Sequence, residues 1–286
     1  MYQTAPLTTF SLRTLIRRFR AKISLTVLLV ILDAAANLLF PLFMGFAIND
    51  LLNGAWNGLV ALGVLGLVSL LIGSLQRFYD TRVYAGIYET IANELVAKEQ
   101  EKSSNVSKIS ARTGLLTELV EFMENSFPAV ANSLIALVGT LIIIFSLNPD
   151  IFVACLLASL FVLAIYGLSG RANFKLNKGY NDQLEQQVNA LDSADPRKIA
   201  LHFKQLMRWN IKLSDLETLN YTLIWLAMIG LLIYAIYTAV GSGLAAYGTI
   251  FSLVVYVFEY INSVVTLPLY FQQLIRLSEI STRLNS

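Results

Sequence analysis

The chain has 286 residues, of which 56 % are hydrophobic and 14 % charged, with a mean hydropathy of +0.62. Soluble domains carry roughly a quarter charged residues, so a water-soluble enzyme and a disordered tail are excluded. The single cysteine, Cys155, excludes a disulfide scaffold. The formal net charge of +2 says little as a sum; its distribution says more.

Residues 1–22 form a basic N-terminal segment. Leu12, Leu15, Ile16 and Phe19 fall on one helical face and Arg13, Arg17 and Arg20 on another, the pattern of a short interfacial helix against anionic headgroups. A frayed basic terminus is the alternative. Six apolar stretches come after it within residues 23–286, at about 23–48, 57–75, 128–147, 151–168, 221–240 and 249–270. A helix crossing a ~30 Å hydrocarbon core needs about 20 apolar residues; these runs meet or approach that length and lack the alternation of barrel strands. The first is too long for a signal-peptide core and has no small-residue cleavage site behind it, so it is expected to stay as an anchor. The expected fold is all-α, a polytopic membrane protein with six transmembrane helices.

Charge orients them. Five Lys or Arg precede the first span, six lie between spans two and three, eight between spans four and five, and two come after the last, which accounts for all 21. The other connections hold only Asp50 and Asp150. The positive-inside rule then places both termini and both long loops, about 76–127 and 169–220, in the cytoplasm of a multi-pass plasma (inner) membrane protein. Both loops are rich in helix formers and poor in Gly and Pro, so each reads as two helical legs joined by a turn. The turns are expected near Ser103–Gly114 and Asp192–Pro196, and Ser193-Ala-Asp195-Pro196-Arg197 reads as a helix start.

Six spans with two long helical hairpins resemble the transmembrane domain of an ATP-binding-cassette exporter. Local patterns agree: Leu38-Leu-Phe-Pro41-Leu-Phe-Met-Gly45 looks like the end of that family's first helix. Thr113-Gly114-Leu-Leu-Thr-Glu-Leu-Val-Glu121 is similar to the segment after its first coupling helix, with Glu121 where Asp is common, and Pro268–Leu284 to helix six running into the linker. The resemblance spans about residues 10–286 and implies coupling turns around Lys108, Arg112, Gly114, Asp195 and Arg197. It also implies a homodimer, since six spans are half of the family's twelve-helix core. The family's nucleotide-binding domain is not matched. No G-x-x-x-x-G-K-[ST] loop occurs in the chain, so this polypeptide alone is expected to bind no ATP, to use no cofactor and to be no enzyme. Transport would need a separate ATPase subunit or an ion gradient.

Asp33 and Glu259 lie near the middle of spans one and six, and an intramembrane carboxyl is a functional hypothesis by default. At ~100° per residue, Ser252, Tyr256, Glu259, Ser263, Thr266 and Tyr270 share a stripe on span six, and Thr26, Asp33 and Asn37 form a weaker one on span one. A polar stripe on an apolar helix should face a wet cavity or a polar partner. The resemblance puts helices one and six on a central cavity, which implies two carboxyls in reach of shared water. Such groups can take protons or a cationic solute; acids hydrogen-bonded between helices are the structural alternative. His202 alone makes a metal site unexpected, and the basic loops lack a stacking platform for nucleic acid. The expectation is a homodimeric transporter of a small or amphipathic, cationic solute. The alternatives are a non-transporting scaffold, immunity or regulatory membrane protein, or a passive channel.

Overall fold

A computed structural model describes residues 12–101, 105–241 and 246–285. Residues 1–11 and the start of the first expected turn, including Ser103, lie outside the described residues, as do the side chains of Arg13, Glu279 and Arg283. The described residues are almost wholly helical. Six helices are long and apolar enough to cross a membrane. The chain divides into two compact units, residues 1–147 with 243–286, and residues 148–242.

The first unit holds α1 (Leu12–Arg18), α2 (Arg20–Leu52), α3 (Asn57–Glu101), α4 (Val106–Glu121), a π-helical turn (Phe122–Ser126), α5 (Phe127–Leu147) and α9 (Tyr247–Asn285). The hairpin α2–α3 closes where Gly54 adopts a positive φ of 73° and Asp50 Oδ2 accepts the Gly58 amide at 2.7 Å. That amide is one of the unpaired donors of the α3 N-terminus, so the carboxylate caps it. Asn105 caps α4 in the same way, accepting from the Ser107 amide at 3.2 Å.

α9 lies in contact with α2 and α5. Its approach to α2 is set by glycine: a Cβ on Gly248 would collide with the Gly45 carbonyl oxygen and stand 2.7 Å from Asn49 Oδ1. Below this contact, Ser252 Oγ donates to the Pro41 carbonyl at 2.6 Å and Tyr256 Oη to the Leu38 carbonyl at 2.7 Å. Pro41 sits inside α2, where its ring removes one helical hydrogen bond and crowds the preceding turn. The two α9 hydroxyls land beside that disturbance.

At the end remote from the α2–α3 turn, α3 and α4 pack through Tyr84, Ile87, Ile91, Leu95, Leu116 and Leu119, all buried. The spacing of three and four along α3 keeps these on one face. Ion pairs fasten the same region. Arg18 of α1 makes a bidentate pair with Glu94 at 2.7 and 2.6 Å, and this hydrogen bonding raises the guanidinium's pKa above its ordinary value. Arg112 of α4 pairs with the buried Glu99, and Arg276 of α9 meets Glu118 at 3.1 Å.

The second unit is a hairpin of α6 (Pro149–Glu185) and α8 (Pro196–Gly241), with the short α7 (Gln187–Asp192) between them. Asn148 caps α6 through the amides of Asp150 and Ile151, with Pro149 in the first turn. Asp195 caps α8 through the Arg197 amide at 2.9 Å, which is the start signal read from Ser193 to Arg197. Across the hairpin, Asn220 Nδ2 donates to Ser169 Oγ at 3.1 Å, and Gln183 Nε2 lies 2.9 Å from His202 Nδ1.

Candidate functional site

Within the first unit, α2, α5 and α9 diverge from the Gly45–Gly248 contact and leave a cavity of about 630 Å³. Glu259 stands on its α9 wall, 12 residues into the helix. At 1.5 Å per residue that is ~18 Å from the helix start, near the middle of a ~30 Å hydrocarbon core. Glu259 and Asn262 are exposed to the cavity, and Ser263 and Thr266 extend the same wall over the next two turns. Asn37 faces them from α2. Glu259 is the sole charged residue on the lining, among the described residues, and no Lys, Arg or His meets it there.

The third wall, α5, was missed from the sequence. Asn132, Ser133 and Thr140 line the cavity from it. Asn132 Oδ1, Ser133 Oγ and Thr140 Oγ1 are buried without hydrogen-bond partners, and Thr140 is 0 % exposed. A signal was present, because Asn132, Ser133, Ala136, Gly139 and Thr140 recur at helical spacing as a small and polar face on an apolar helix. These buried atoms sit behind the lining and give α5 a polar face at the cavity.

Three expected site residues are placed differently. Ser252 does not face the cavity: it is 1 % exposed and its hydroxyl is spent on the Pro41 and Gly248 carbonyls. Tyr256 does line the cavity, but its hydroxyl is committed to Leu38. Asp33 and Glu259 do not share a cavity. Asp33 points to α3, with Oδ1 3.5 Å from where a Gly73 Cβ would lie, and opens on a separate pocket that also holds Arg77. A basic side chain therefore reaches the surroundings of Asp33. One link survives: Asn37 Nδ2 donates to Asp33 Oδ2 at 3.0 Å.

The turns divide as well. Lys108, Gly114 and Arg197 are exposed. Arg112 is not presented for docking, because its guanidinium is held against Glu99 with 12 % of the side chain exposed. Asp195 is engaged as the α8 cap.

A family model described as ABC transporter transmembrane region matches residues 12–248, more than half of the chain. No curated protein matches the sequence.

Proposed function

Because the chain belongs to the ABC transporter transmembrane family, and is therefore an integral, multi-pass subunit of the membrane-transporter type, we propose that two copies form a twelve-helix, alternating-access core for a small cationic or amphipathic solute. The observation that carries this reading is the cavity near mid-bilayer depth, with one carboxyl, several unsatisfied polar atoms and no basic lining residue. A second copy would complete the family's twelve-helix core, of which six spans are half. An ATPase supplied as a separate subunit would dock on the exposed positions around Lys108, Gly114 and Arg197. The lack of a phosphate-cradling loop in these 286 residues supports that division of labour, in which the chain itself is no enzyme and meets ATP only through its partner. The charge distribution supports a plasma-membrane orientation with both termini cytoplasmic.

Ethidium, a lipophilic cation, is a suitable probe for purified protein, read by fluorescence anisotropy. A unit charge ~4 Å from the Glu259 carboxylate gains about 1 kcal/mol in water-like surroundings and ~4 kcal/mol at an effective dielectric of ~20. Glu259→Gln should therefore weaken binding by about fivefold to several hundredfold, while a neutral dye of similar shape keeps its affinity. Equal ethidium affinity in wild type and Glu259→Gln would remove cation recognition from this cavity.

A further inference from the structure

A second cavity, of about 290 Å³, lies in the first unit between α2, α3 and the π-helical turn, walled in part by Asp33, Gln76, Arg77, Asp80, Thr81 and Glu124. Three elements each contribute a carboxyl group, and Arg77 is the only basic side chain on the wall, among the described residues. One guanidinium neutralises at most one carboxylate. The remaining acids need water, a proton or another cation.

Asp80 makes the requirement specific. It is 4 % exposed, its Oδ1 is buried without a hydrogen-bond partner, and Thr26 and Gln76 stand close enough to the carboxyl to favour its charged form. Thr26 and Tyr84, 0 % and 1 % exposed, bring their hydroxyls up to it and to each other. An ionised carboxylate only accepts; a protonated one becomes a donor to its hydroxyl neighbours. The cavity has room for several waters at ~30 Å³ each. Among the described residues no group of His, Cys, Asp and Glu is arranged to hold a metal ion, whereas a single buried carboxyl can take up a proton and then donate to a hydroxyl.

The pocket is also connected. Asn37, on the wall of the larger cavity, donates to Asp33 on this one. Thr81 Oγ1 donates to Glu124 at 2.9 Å. Asn125 lines both this pocket and a third of about 280 Å³ beside Glu121 and Arg276. Polar groups thus run from the larger cavity through Asp33 and Glu124 to the neighbourhood of α4 and α9.

We propose that this acid pocket is a proton-binding site, centred on Asp80 and linked to the larger cavity through Asp33 and Asn37, so that a change of occupant there is answered by a change in protonation here. The titratable groups facing Asp80 are Asp33 from α2, Arg77 and Tyr84 from α3, and Glu124 from the π-helical turn. The link to cargo rests on the function proposed above; the proton site does not.

The test is infrared titration of the purified full-length protein in detergent, tracking the carbonyl stretch of protonated carboxyl groups without substrate or ATPase. Wild type should keep such a band at pH 7, Asp80→Asn should lose it, and Glu259→Gln should retain it. Should Asp80→Asn fail to give monodisperse helical protein, Asp33→Asn and Glu124→Gln serve instead. Each removes a carboxyl from the same pocket; Glu124 is the negative neighbour that raises Asp80's pKa, so Glu124→Gln should lower the band's midpoint and Asp33→Asn move it less. Absence of the band in wild type at pH 7, its persistence in folded Asp80→Asn, or a midpoint unmoved in both neighbour variants would overturn the site. Bleaching of the band when choline chloride is replaced by sodium chloride would make it a sodium site and overturn the assignment to a proton. Ethidium should move the midpoint in wild type and not in Asn37→Leu; a midpoint indifferent to bound ethidium would overturn the link. Loss of ethidium binding altogether would count against the cargo reading and leave the proton site standing.

Discussion

Replacing Gly248 by alanine should be one of the most damaging single-methyl changes in the first unit. The added Cβ would collide with the Gly45 carbonyl and lie 2.7 and 2.8 Å from Asn49 Oδ1 and Cγ. Two of the three obstacles belong to the facing side chain, but the first is helix backbone, so α9 must move away from α2. Overpacking of this kind costs about 1–3 kcal/mol. Separation also stretches the Ser252–Pro41 and Tyr256–Leu38 hydrogen bonds, 2.6 and 2.7 Å long; each contributes about 1 kcal/mol. The expected loss is therefore ~3–5 kcal/mol against a helix-propensity gain of ~1 kcal/mol. Gly63 is the control, since a Cβ there meets nothing within 4 Å, and Gly63→Ala should be neutral or stabilising by up to ~1 kcal/mol. Unfolding in detergent, monitored by circular dichroism against denaturant, compares the two. If Gly248→Ala unfolds at the same midpoint as Gly63→Ala, the glycine contact does not set the α2–α9 spacing and the derived cavity geometry is wrong.

Thr140→Val removes a buried hydroxyl that has no partner while keeping the shape of the side chain. It should leave stability unchanged or raise it by about 1 kcal/mol; a large loss of stability would show that the hydroxyl is engaged by the fold. For topology, cysteine scanning has a clean background because Cys155 is 0 % exposed. A membrane-impermeant maleimide should label Val106→Cys, at a position 78 % exposed, only after the cytoplasmic face is opened. It should label Asn53→Cys, in the α2–α3 turn, on intact cells, and the reverse pattern would invert the proposed orientation.

The six helices were legible because hydropathy acts over about twenty residues and does not depend on which helix touches which. The capping signal at Asp195 was equally local, an acceptor side chain next to a proline. The cavity was half legible. The α9 stripe announced Glu259, Ser263 and Thr266, but angular position alone cannot separate Ser252, which packs on a carbonyl, from Glu259, which opens on space. That distinction depends on how closely α2 approaches, a property of Gly45 and Gly248, which lie far apart in sequence. Asp33 was read as company for Glu259 because both were judged by depth. The azimuth of α2 against α3 turns it to Gly73 and Arg77 instead. Asp80 and Glu124 drew no attention, since beyond the apolar runs a carboxyl looks like ordinary solvent-facing charge; only the packing of Thr26 and Tyr84 around Asp80 reveals its isolation.

The wider turn at Phe122–Ser126 separates two helices that otherwise continue one another. Such a turn holds one residue more than a regular α-turn, and each residue rotates the downstream helix by ~100°. A single codon deleted there would therefore swivel Asn132, Ser133 and Thr140 off the wall they now form, without altering any of them. Inserted and removed codons at this joint would re-face the cavity wall while the hydrophobic thickness stays the same.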